Sequence, residues 1–332
     1  MLKANRKPPK VESKELSSAS HLAKKFIGKY YPKILFVNIT AIEITPKLTN
    51  QRKDMIHIKD KYQSSISSIL LNGFEVELLD SAFINLLTPN PLRLNNFAYA
   101  LRELTRHILH RLAPDEQLEK CCWFKPDSTS SNGITRKQRI KFCIQGGLSD
   151  FYVEKKLQID EIDIVATDLV QTISQLSNYT HIERATFNTD EAEVERVAIE
   201  CLETTLAFVN KIYELRELVA EKLFGDVSDK LMNRINSESV VELMEISTHQ
   251  FVEDIAPETI SNISINSGSL EMEVVGTIHA QLIYGSASDR RKGDGAEIPV
   301  SFPVKSKMEV LFKQPLGSEI TLHSFAVDIS SW

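Results

Sequence analysis

Near residue 250 the period of the apolar residues changes from helical to alternating, and this change limits the fold more than any other feature of the chain. Before it, Phe97, Leu101, Leu104, Ile108 and Leu112 recur at steps of three and four, which places them on one stripe of a helix. After it, Leu270, Met272, Val274, Ile278, Ala280 and Leu282 keep to even positions, the in-and-out pattern of a strand with one buried face. Residues 299–312 and 320–329 alternate similarly. The pattern therefore predicts an α+β protein, a helical bundle followed by an antiparallel β-rich module.

Breakers divide the chain further. Residues 1–33 hold nine Lys or Arg and two Asp or Glu, with Pro and Ser and few large apolar side chains, so a basic disordered arm is expected. Such an arm can contact a phosphate backbone or simply add solubility. The rest is acidic, since the whole chain carries a net charge of −6. An N-terminal segment, 34–90, reads as a β-branched strand over 34–44 and a helix over 51–71, with a second apolar stretch ending at Thr88-Pro89-Asn90-Pro91. The bundle is assigned to 91–250, with helices over 94–112, 134–144, 149–157 and 160–177. A long helix follows Asn188 and ends near Leu223, because Gly225 is expected to break it. The β-rich module is assigned to 251–332. The loop from Gly285 to Gly295 is too long for a minimal hairpin turn.

Several functional classes are not signalled. The apolar runs are far shorter than the ~20 residues a membrane helix needs, and the basic N-terminal stretch has no apolar region behind it, so a cytoplasmic protein without membrane contact is expected. The four cysteines lack Cys-x-x-Cys or zinc-finger spacing, and Cys121 and Cys122 read as two buried thiols at a helix end. No phosphate-binding loop, dinucleotide fingerprint, nucleophile elbow or His-Glu-x-x-His is present, and neither a metal nor a cofactor is expected.

Three constellations can carry chemistry. On the 94–112 helix, Arg102, Arg106 and His110 stand at i, i+4 and i+8, with Glu103 on the same face and His107 on its flank. Guanidiniums can stabilise charge developing on a phosphodiester, and an imidazole can move a proton near neutral pH. A solvated face with Glu103 paired to Arg106 or His107 is the structural alternative. Tyr179 and His181 close a helix, where the imidazole either caps the helix dipole or faces the Arg102 helix across the bundle. The basic helix with Arg136, Lys137 and Arg139, and the Gly-bounded loop with Asp289, Arg290 and Arg291, are candidate nucleic-acid or partner contacts. A charged, solvated loop is the alternative for the latter.

The strings LRLNNFAYALRELTRHILHRLAPDE (92–116), GITRKQRIKFCIQGGLSDFYVEKKL (133–157), SQLSNYTHIERATFN (174–188) and YGSASDRRKGDGAEIPVSFP (284–303) resemble the predicted nuclease family linked to prokaryotic PIWI (pPIWI) genes. The helical part is also similar to HEPN-type ribonuclease bundles, in which Arg is followed four to six residues later by His. That resemblance implies Arg102 as phosphate stabiliser and His107 as the residue that moves the proton, in a metal-free cleavage leaving a cyclic phosphate. Five residues apart, the two side chains point ~140° from each other on an ideal helix, so a dimer or a kink has to bring them together. The expected function is a nuclease of an anti-phage system, cutting RNA with Arg and His. The expected partners are RNA, a second copy of the chain, and a pPIWI or other defence protein. A non-catalytic adaptor subunit and a metal-dependent DNase built on the Asp289 loop are the alternatives.

Overall fold

A computed structural model describes residues 44–332 except 72, 161, 239, 314, 315, 317 and 318. The chain divides into two units, Met1–Asn50 and Gln51–Trp332. The basic arm and most of the expected 34–44 strand lie outside the described residues; Ile44 itself begins a helix. The protein is α+β, with helices followed by one four-stranded antiparallel sheet.

The helices are α1 (Ile44–Ser67), α2 (Gly73–Leu87), α3 (Arg93–Leu112), α4 (Asp115–Leu118), α5 (Arg136–Gln145), α6 (Asp150–Lys155) and α7 (Ile162–Ser174), the last continued by a 3-10 turn, Gln175–Tyr179. The α3 stripe behaves as its spacing requires: Phe97, Leu101, Leu104 and Ile108 are fully buried. Pro114, which has no N–H to give, ends it after Ala113 N–H donates to Leu109 O at 2.9 Å. Thr135 and Gln138 form a capping box at the start of α5, and Gly146, at φ 55°, ends it.

The spine is α8 (Glu191–Glu238), 48 residues long, followed by the short α9 (Val241–Ile246). It runs through Gly225, where the sequence predicts a break. A helical glycine costs about 1 kcal/mol relative to alanine. Leu223, Phe224, Val227 and Leu231 are all buried around it, and that burial outweighs the cost. Along its length α8 packs on α3, α5 and α7, and on the sheet through β1.

The strands β1 (His249–Ile265), β2 (Ser269–Tyr284), β3 (Ala296–Leu311) and β4 (Ile320–Val327) form a meander in the order β1-β2-β3-β4. The register pairs Leu270 with Val310, Met272 with Met308 and Ile278 with Phe302, so even-numbered residues of both central strands share the buried face. Between β2 and β3 the Gly-bounded loop folds into a helical turn, α10 (Ala287–Lys292), capped by Ser286 and Asp289 and closed by Gly293 at φ 84°.

Candidate active site

The exposed face of α3 is a chain of polar contacts. Glu103 accepts from Arg106 Nε at 2.8 Å and from Arg102 Nη2 at 3.3 Å. Burial works to raise the Glu103 pKa, but the two guanidiniums outweigh it and hold the carboxyl below its usual range. Arg102 also donates to Thr180 Oγ1 at 3.4 Å and lies over the Tyr99 ring, 5.0 Å from its centroid. His107 lies edge-on to the Phe74 ring with centroids 4.9 Å apart, while Arg106 Nη2 donates to its Nε2 at 3.2 Å. Arg102 and His107 thus have separate partners.

One helical turn further, α3 meets the start of α5 and the loop before it around a cavity of about 380 Å³. Arg106, Leu109 and His110 line it from α3, Ser130, Ser131, Asn132 and Ile134 from the loop, and Arg136 and Arg139 from α5. The fold therefore gathers four of the sequence-predicted residues, Arg106, His110, Arg136 and Arg139, at one opening.

These four are not equivalent. Arg139 is almost fully buried, and Asp115 and a carbonyl hold it: Nη2 pairs with Asp115 Oδ1 at 2.6 Å and Nη1 donates to Ala113 O at 2.7 Å. Burial pushes the Asp115 pKa up, but the pair with Arg139 and a hydrogen bond from Asn132 Nδ2 at 3.1 Å leave it below its usual range. Arg136 has no hydrogen bond or ion pair among the described residues, and burial, then the charge of Arg102, lowers its pKa. His110 likewise has no hydrogen-bond partner among the described residues. Its pKa is pulled below the usual histidine value by burial first, then by the charges of Arg139 and Arg106, with Asp115 opposing. At neutral pH the imidazole is therefore uncharged, so it can accept a proton while the exposed guanidiniums of Arg106 and Arg136 meet an anion and Arg139, held by Asp115, stays in the wall.

Other candidates stand apart from this opening. Tyr179 OH donates to Glu200 Oε1 at 3.0 Å, and burial and then that carboxylate raise the phenol pKa. His181 is exposed; its carbonyl accepts from Asn95 Nδ2 at 2.9 Å, as does Tyr179 O at 3.0 Å. Buried Asn95 thus pins this segment beside α3 through backbone groups. Lys137 is in the first turn of α5 but does not line the cavity. On α10, Asp289 bonds Ser286 and Arg290 pairs with Glu297 at 2.8 Å, while Arg291 Nε donates to Ala287 O at 3.1 Å. None of these three lines the opening.

Of the two adjacent thiols expected to be buried, Cys121 is buried but Cys122 is exposed, and both are free. Burial pushes the Cys121 and Cys201 thiols up to about 12 and Cys143 up to about 11. A larger cavity, about 510 Å³, is lined mainly by apolar atoms, among them Leu148, Tyr152, Leu311, Phe312 and Leu316, and contains none of the predicted residues. Among the described residues no group of three or more His, Cys, Asp or Glu is placed to hold a metal ion, and no helix is long and apolar enough to cross a membrane.

The spacing on α3 pointed to Arg106 and His110. Ser130, Ser131 and Asn132 read in the sequence only as part of a polar loop over 127–133, whose turn chemistry shows in Asp127 Oδ1 accepting from Thr129 N at 2.8 Å.

Residues 67–205 match one family model and residues 212–332 a second, both described as predicted pPIWI-associating nuclease. Their boundary falls inside α8, and every residue lining the basic opening lies in the first. Searches of curated proteins and of solved structures found no match. With two models of one description spanning most of its length, the chain belongs to the predicted pPIWI-associating nuclease family.

Proposed function

We propose that this chain is a ribonuclease acting without a metal, with the α3–α5 opening as its catalytic centre. The observation that carries the reading is the unpaired, uncharged His110 set among Arg106, Arg136 and Arg139. In this scheme Arg106 and Arg136 hold the scissile phosphate and stabilise the charge that grows on its oxygens, while Arg139, paired with Asp115, fixes the wall of the opening. His110 takes the proton from the ribose 2′-OH, whose oxygen attacks phosphorus. The bond to the 5′-oxygen breaks, water supplies a proton to that leaving group, and a 2′,3′-cyclic phosphate remains.

This keeps the Arg/His chemistry of the HEPN resemblance but moves its centre. Arg102 and His107 have different direct partners and are linked only through Glu103 and Arg106. The four residues of the opening need only one chain. Arg102 then acts as a neighbouring contact, felt by Arg136 as a nearby positive charge. A DNase centre on α10 is disfavoured because Asp289 is committed to capping Ser286 and Arg290 to Glu297. Association with a pPIWI protein and a role in defence are part of the same proposal, motivated by the family description.

The test incubates labelled RNA and DNA with the full chain, with and without EDTA, and with Arg106→Ala, His110→Ala, Arg102→Ala and His107→Ala. The expected result is EDTA-resistant cleavage of RNA but not DNA, cyclic phosphate ends, and a rate roughly 10²–10⁴-fold lower in His110→Ala. Cleavage that needs metal and ignores His110, or RNA binding without any cleavage, overturns the reading. The second outcome identifies an adaptor subunit.

A further inference from the structure

Tyr99 carries no sequence motif of its own, yet it continues the line of Arg102, Arg106 and His110. Tyr99, Arg102, Arg106 and His110 are spaced by three, four and four residues, so they share one edge of α3 over roughly 16 Å. Tyr99 is 52% exposed and lies at the end of the line away from the cavity. Arg102 sits over the ring at 5.0 Å, and next along the line Arg106 lines the cavity. Glu103 pairs with both Arg102 and Arg106, neutralising one of the two, and Arg136 adds a further cation close to Arg102. The edge is thus locally positive on a chain whose net charge is −6.

We infer that this edge is a track for single-stranded RNA, in which one unstacked base lies on Tyr99 while the following backbone runs over Arg102 and Arg106 into the opening at His110. The inference rests on the pocket reading for the direction of the strand. Aromatic rings interleaved with guanidiniums suit a single strand, because every base has a π face and every linkage a negative charge. A duplex keeps those faces stacked inside itself and offers Tyr99 nothing. An acidic peptide could satisfy the guanidiniums but would gain little from the ring. Tyr99 would then determine specificity for single strands without touching the reacting atoms.

The test measures anisotropy of a fluorescein-labelled 2′-O-methyl RNA strand, which lacks the attacking hydroxyl, as a single strand, as a duplex, and with one abasic position moved along it. Wild type, Tyr99→Ala, Tyr99→Leu and Tyr99→Phe are compared, with thermal melting to check folding. The expected result is that the single strand binds more tightly than the duplex and that Tyr99→Ala and Tyr99→Leu weaken it roughly 5- to 100-fold, while Tyr99→Phe does not. One abasic position should cost wild type a similar factor and cost Tyr99→Ala almost nothing. Equal affinity for duplex, an abasic penalty unchanged by Tyr99→Ala, or equal competition by polyglutamate overturns the inference. If the base–Tyr99 coupling is present but RNA is never cut, the track stands and the ribonuclease reading falls. If RNA is cut without that coupling, only the track falls.

Discussion

At its N-terminal end α5 borders a cavity set with cations, whereas at its C-terminal end it is bonded to the turn between β1 and β2, beside the larger, mainly apolar cavity. The N-terminal end has Thr135 as cap, an unpaired Arg136 and, across the cavity, an unpaired His110. At the bonded end the polar groups are partnered. Gly147 N donates to Asn266 O at 3.0 Å, Trp123 Nε1 to Gly146 O at 2.8 Å, and Ser267 Oγ to Gln117 Oε1 at 2.7 Å. A side chain at Gly147 would put its Cβ 1.9 Å from Ser267 O. The contrast separates two tasks of one helix. Satisfied polar groups and close backbone contact fix where α5 lies, and polar groups left without internal partners are those available to a substrate.

The largest expected effect tests the bonded end. Gly147→Ala forces backbone apart and should cost about 3 kcal/mol or more in urea unfolding; a variant of wild-type stability would show that this backbone contact is not close. Next, Asp115→Ala removes the carboxylate from buried Arg139 and leaves it only Ala113 O among its described partners. A loss of about 2 kcal/mol is expected from the same measurement. An unchanged midpoint would mean that Arg139 is as free as Arg136, and the asymmetry within the opening would disappear. The smallest effect has the opposite sign. Gly225 lies inside α8, and a Cβ at that position would have open space around it, with nothing within 4 Å, so Gly225→Ala should stabilise by about 0.5–1 kcal/mol. The same chemical change at two glycines thus separates a close approach from a mere helix weakness.

Much of this fold is legible from local pattern. The α3 stripe, the glycine stop after α5 and the even-numbered face of β2 follow from periodicity and backbone sterics alone. Where local signals conflict with packing they mislead. The propensity cost at Gly225 is small beside the burial of its neighbours, so α8 continues. β1 hid for a different reason: it contains Pro257, its register shifts at three places, and only Val252, Ile255 and Ile265 along it are buried, so no alternation survives. The line of Arg102, Arg106 and His110 can be drawn on a helical wheel. Its meeting with Arg136, Arg139 and the 130–132 loop cannot, because that contact exists only once α3 and α5 pack. Arg139 illustrates the gap: in sequence it is one cation of a basic helix, and in the fold it is a buried strut on Asp115.

His110 is proposed to act as a base at the α3–α5 opening, and the pH dependence of RNA cleavage tests that role most directly. A depressed pKa leaves the uncharged imidazole, the form a base requires, dominant down to lower pH than in an ordinary histidine. The same shift has a stability sign: between the folded and unfolded values the unfolded chain binds more protons, so the His110 contribution rises with pH up to ~6.5 and is lost as pH falls. The predicted result is a cleavage rate that climbs with pH to a plateau, with a midpoint below ~6.5, and that His110→Gln abolishes both rate and midpoint. A profile that keeps its shape and rate in His110→Gln would contradict the account.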